Sequence, residues 1–160
     1  MIHLDIYTVS FFGHREMYQT FKYEKILEKY IRKLIETKMY VDFLVGRDGD
    51  FDQMVSSTIV KCVESLDYGN TSHILVLPYM RADYRDNEEY FLKYYDEVEI
   101  CAASSSAHFK SAITIRNHYM IDRSDLVIFC VYHKGGAYNA MKYAEKNGKD
   151  FINIHRYIDE

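Results

Sequence analysis

The chain has 160 residues, a formal net charge of −4 and a hydrophobic share of 48%. That length supports one domain with its own core, and the negative balance argues against a nucleic-acid backbone as main ligand, because proteins that bind one usually carry a basic excess. No signal peptide is read at the start and no apolar run reaches the length of a bilayer, so no membrane partner is expected and a reducing cytoplasm is the expected setting.

Residues 4–12 form an apolar run that reads as a first strand stopped at Gly13. Phe21, Tyr23, Ile26, Leu27, Tyr30, Ile31, Leu34 and Ile35 then recur at helical spacing. Residues 41–45 give a short second strand ending at Gly46. A second helix follows through Met54, Val55, Ile59, Cys62, Val63 and Leu66, and a third strand over 74–77 ends at Pro78. Residues 79–95 are rich in tyrosine and charge, and read as a loop with a short helix from Asn87. A fourth strand is expected at 97–100, a helix over 108–121, a fifth strand at 126–132, a helix beginning near Tyr138 and closed by Gly148, and a last strand at 151–154.

Strands alternating with helices in this way predict an α/β fold, a Rossmann-like three-layer sandwich with a mostly parallel sheet and helices on both faces. Ligands of such sheets bind at the carboxyl ends of the strands, where the strand order reverses. Gly13, Gly46 and the pair Gly135-Gly136 all follow strands and so share that edge. A glycine turn entering a helix lets a ligand approach the backbone, and the helix N-terminus favours an anion there.

The candidate ligand-binding residues follow from this edge. Arg15 supplies a fixed charge for phosphate, and His14 a donor for phosphate or ribose. Asp48 and Asp52 flank the second turn and suit ribose hydroxyls, although a helix cap explains an aspartate at 50 or 52 as well. Arg116 and Asn117 precede the fifth strand and either reach the ligand or tie their helix to a neighbouring loop. Ser104, Ser105 and Ser106 are candidate donors or plain loop residues. The histidines show no HxH or HxxxH spacing, and the three cysteines Cys62, Cys101 and Cys130 no paired spacing, so neither a metal site nor a disulfide framework is read. No serine sits in a GxSxG turn, and no catalytic residue or cofactor is expected. The 16 tyrosines, with Tyr79, Tyr84, Tyr90, Tyr94 and Tyr95 clustered, make a homo-oligomer the expected assembly.

Gly13-His14-Arg15, Gly46 with Phe51-Asp52, Arg116-Asn117 before Met120-Ile121-Asp122-Arg123-Ser124-Asp125, and Gly135-Gly136 before Tyr143-Ala144 occur in that order. In this they resemble the YpsA-like branch of the SLOG superfamily, the Rossmann-like group that includes the DprA/Smf and LOG proteins. The resemblance implies one domain over the whole chain that binds a nucleotide-derived small molecule, as members that sense signalling nucleotides in antiviral systems do. It also implies ligand contacts at Gly13, Gly46, Gly135, Gly136 and Asn139. LOG enzymes carry Pro-Gly-Gly-x-Gly-Thr-x-x-Glu, against which this chain has Lys134, Tyr138, Asn139 and Lys142 for the proline, third glycine, threonine and glutamate. A lysine cannot do a carboxylate's work at an oxocarbenium-like centre. Binding without turnover is therefore the expectation, with a LOG-type N-glycosidase and an interaction protein with a vestigial cleft as the alternatives. An enzyme would need its carboxylate at Asp5, Asp48 or Asp52.

Overall fold

The computed structural model describes residues 4–158. Six strands form one sheet in the order β4-β3-β2-β1-β5-β6, and every pairing is parallel. The strands are β1 (Ile6–Gly13), β2 (Tyr40–Val45), β3 (Thr71–Leu77), β4 (Glu97–Ile100), β5 (Leu126–Cys130) and β6 (Phe151–Asn153). The crossovers carry α1 (Thr20–Thr37), α2 (Asp50–Leu66), the short α3 (Ala82–Arg85) and α4 (Glu88–Tyr94), α5 (Phe109–Asp122) and α6 (Gly136–Lys146). A 3₁₀ turn over Ile154–Tyr157 follows β6. This is the expected Rossmann-like three-layer sandwich, with a sheet that is wholly rather than mostly parallel.

Alternation along the strands divides the core in two, because successive side chains point to opposite faces. Val9, Phe11, Phe43, Val45, Leu75, Leu77, Ile128 and Cys130 pack against α1, α2 and Phe91 of α4. Phe12, Leu44, Ile74, Val76, Val127 and Phe129 pack against Met120 and Ile121 of α5 and the small residues Ala137, Ala140 and Ala144 of α6. The alanines let α6 lie close to the sheet. All three cysteines are buried thiols.

The α1 stripe is narrower than its apolar spacing suggests. Tyr23, Leu27, Ile31, Leu34 and Ile35 are buried, each worth about 1.5–3 kcal/mol when fully removed from water, whereas Phe21 is 64% exposed. The tyrosine-rich segment holds more helix than its composition suggests. Tyr84 and Tyr95 are buried and pack around Phe91, while Tyr90 and Tyr94 face solvent. Among the described residues, no helix is long and apolar enough to cross a membrane.

Strand order reverses at β1, whose neighbours are β2 and β5. Gly13, the last residue of β1, pairs with Cys130, the last of β5. Their carboxyl ends open at the same edge, and the crevice between the following loops is where ligands of such sheets bind.

Candidate functional site

A cleft of about 1020 Å³ lies at that edge. Gly13, His14, Arg15, Gly46, Asp48, Asp52, Arg116, Asn117, Gly135 and Gly136 all line it. Asn139 does not. It sits one helical turn into α6, exposed, with its N–H bonded back to the Gly135 carbonyl at 3.0 Å. Asp5 precedes β1 and is therefore at the opposite, amino edge of the sheet, which removes it as a cleft carboxylate.

The three glycine turns are physically different. A Cβ on Gly13 would fall on the ring of Phe51, and one on Gly46 would lie 2.9 Å from Asp52 Oδ2. Those glycines make room for the start of α2, so neither needs a ligand to explain it. Gly135 instead has φ 153° and ψ −162°, a region essentially reserved to glycine. Among the described residues, nothing lies within 4 Å of a Cβ built on Gly135 or Gly136. At the start of α6 the N–H of Asn139 is bonded. Those of Gly136, Ala137 and Tyr138 have no backbone acceptor among the described residues, as the first turn of a helix without a cap leaves them.

The aspartates of the second turn are largely occupied. Both carboxylate oxygens of Asp48 accept from Arg81 Nη1, at 2.7 and 2.8 Å, which ties the start of the tyrosine-rich segment to the cleft rim. Asp50 accepts from the Met17 N–H at 2.9 Å, and its own N–H bonds the Arg15 carbonyl at 2.8 Å. Asp52 accepts the Gly49 N–H at 3.4 Å, in the manner of a capping box. The capping explanation of this turn thus accounts for Asp52, and an ion pair accounts for Asp48. Burial pushes the Asp52 carboxyl up to about 6, against the opposing pull of Arg116 and the Gly49 N–H.

Arg116 forms the cleft floor. It donates to the Val76 carbonyl at the end of β3 at 2.8 Å and to Asn117 Oδ1 at 3.0 Å. Burial lowers its pKa and the nearby carboxylates of Asp52 and Asp48 oppose that shift, so this is a guanidinium fixed in place before any ligand arrives. Arg15, by contrast, is exposed at the rim, and its guanidinium makes no hydrogen bond or ion pair among the described residues. Arg47, unmarked by the sequence reading, also lines the cleft, its guanidinium over the Phe91 ring at 4.2 Å. Ser104 is buried and donates to the Pro78 carbonyl at 2.6 Å, so its hydroxyl is spent on the loop. Lys142 lies on the outer side of α6, 3.8 Å from Glu145.

No family model matches the chain, and no curated protein matches it. The fold is that of a Rossmann-like α/β domain. Among solved structures, the chain is similar to DNA processing protein A from Helicobacter pylori, described for its single-stranded DNA binding mode. The TM-score is 0.54 at 14% identity, covering 96% of this chain and 79% of that one. This corrects the expected partner, a nucleotide-derived small molecule with nucleic acid excluded. Net charge is a sum over the whole surface, whereas association follows the local field. The cleft holds Arg15, Arg47, Arg81 and Arg116 against Glu16, Asp48 and Asp52, so the −4 of the chain does not describe it.

Proposed function

We propose that this chain is a nucleotide-binding domain of the SLOG type, whose cleft takes the phosphate of a nucleotide unit without turning it over. The observation that carries the reading is the opening at Gly135-Gly136. There, unbonded N–H groups of α6 stand over space that no side chain fills, across a cleft floored by Arg116. The helix terminus contributes a few tenths to about 1 kcal/mol toward an anion, and a charge-assisted bond from an arginine about 1.5–3 kcal/mol. Arg116 needs no ordering on binding, while Arg15 closes from the rim. Turnover is disfavoured because Asp48 is paired, Asp52 caps α2, and Lys142 lies outside the cleft.

The same phosphate chemistry is presented by a free nucleotide and by a nucleotide within a single strand. Titration calorimetry with AMP and with a short oligothymidylate separates the two, and chromatography of the AMP afterwards tests turnover. The expected result is saturable binding of at least one probe with AMP recovered intact. Failure of both probes at millimolar concentration would overturn the reading, and free adenine at many turnovers per protein would replace it with the N-glycosidase.

A further inference from the structure

His14 is 5% exposed and lines the cleft directly after β1. Its Nε2 lies 3.1 Å from the backbone nitrogen of Tyr132, which donates to it. A backbone N–H cannot accept, so Nε2 must carry the lone pair and the proton of the neutral ring must sit on Nδ1. Among the described residues no group bonds Nδ1, and it is not one of their fully enclosed unpartnered atoms. The ring is held on its other side by His133, stacked at 3.6 Å and 14° from parallel, and edge-on by Tyr132 at 4.5 Å. One buried imidazole thus ties the first turn to the loop that carries Gly135 and keeps a single, fixed donor in hand.

Resting on the nucleotide-binding reading, we infer that His14 is a ligand-contacting residue that donates its Nδ1–H to an oxygen of the bound phosphate, and that the cleft is competent only while this ring is neutral. A second proton would go on Nε2. It would set a donor against the Tyr132 N–H, release the loop from Tyr132 to Gly136, and put a cation against the His133 ring.

The groups facing the ring favour the neutral state. His133 comes from the loop before α6 and His155 from the 3₁₀ turn, where its Nδ1 is bonded to the Tyr23 hydroxyl at 2.9 Å. Arg15 and Glu16 follow in the same turn, and from α2 Asp50 directs its carboxylate to the Met17 N–H rather than to the imidazole. Burial, followed by His133 and His155, lowers the His14 pKa. The competent state is therefore complete above the ordinary histidine range and is lost as pH falls through the lowered value.

The test uses ¹⁵N-labelled protein and AMP. Histidine-edited spectra at pH 7.5 should show His14 as the Nδ1–H tautomer, with its Nδ1 signal shifted by AMP. His14→Gln puts a carbonyl where Nε2 accepts the Tyr132 N–H but leaves the Nδ1 position without a donor, its NH2 being carried on the same terminal carbon as that carbonyl, so it should fold normally and bind AMP about tenfold more weakly. His14→Phe removes both bonds and should also alter the Gly135 and Gly136 amide signals in the free protein. AMP's own phosphate titrates near pH 6, so His14→Gln is the reference for pH. Between pH 7.5 and pH 5 the wild type should lose more affinity than this variant does. An Nε2–H tautomer, or a His14→Gln protein that binds AMP as tightly as wild type, would overturn the inference while leaving the nucleotide reading standing. Absence of any AMP or oligothymidylate binding to wild type would remove both.

Discussion

The first two glycine turns and the third look alike in sequence and differ in cause. Gly13 and Gly46 are small because α2 fills the space a Cβ would need, with Phe51 against one and Asp52 against the other. Gly135 and Gly136 are small with none of the described residues against the place of a Cβ, and Gly135 adopts a backbone conformation other residues avoid. A glycine after a strand therefore marks a ligand only when the structure does not itself fill the void. Half of the edge is built by packing and half is left open.

Substitution separates the halves most sharply at Gly13. Gly13→Ala must displace the fully buried Phe51 ring and should cost about 3 kcal/mol, the upper end for an overpacked core. Urea denaturation measures it, and Phe51→Leu in the same chain should recover part of the loss. Unchanged stability would mean that the start of α2 does not fill the space beside Gly13. The helix that fills these turns is also pinned from behind, where His73 on β3 meets the Ser56 hydroxyl at 2.9 Å. Burial lowers the His73 pKa to about 4, so its contribution is full above the ordinary value near 6.5 and is lost as pH falls toward 4. On the order of 2–3 kcal/mol should disappear over that window. A His73→Gln variant should show a correspondingly flatter profile between pH 6.5 and pH 4.

The third turn should respond through the backbone alone, with no packing to displace. Gly135→Ala carries backbone strain of about 2 kcal/mol. Gly136→Ala, at the first position of α6 and in open space, should leave stability unchanged or raise it by up to about 1 kcal/mol, while weakening AMP binding. Thermal melts beside calorimetry read both effects. A Gly136→Ala protein that loses stability would mean that this turn, too, is filled by packing.

The fold was legible because the period of the apolar residues alternates cleanly between strand and helix, and glycine or Pro78 stops the first three strands. The edge on which Gly13, Gly46 and Gly135 meet followed from parallel topology alone. What stayed hidden depends on contacts between distant residues. No local pattern says that Phe51 sits over Gly13, that Arg81 takes Asp48, or that the Tyr132 N–H fixes the tautomer of His14. Asn139 takes its place from a motif whose third glycine this chain lacks, and α6 starts at Gly136, ahead of the Tyr138 start that apolar spacing suggests. The exclusion of nucleic acid failed because a net charge carries no positions.

The smallest expected effect concerns Asp48. Its pair with Arg81 is partly exposed, with the two side chains 49% and 26% accessible, and such pairs are worth about 0.2–1 kcal/mol. Asp48→Ala should shift the melting point little and should keep or raise AMP affinity, since it removes a carboxylate from the cleft while Arg81 keeps its pair with Asp83. A large loss of affinity would restore Asp48 as a ribose ligand.

Amide spectra of ¹⁵N-labelled protein titrated with AMP address the central claim directly. The predicted result is that the Gly136 and Ala137 amides move with a common saturating dependence, while the Gly49 amide, already bonded to Asp52, stays still. Movement centred on Gly46 and Gly49, with Gly136 and Ala137 unaffected, would contradict the account and put the phosphate at the second turn.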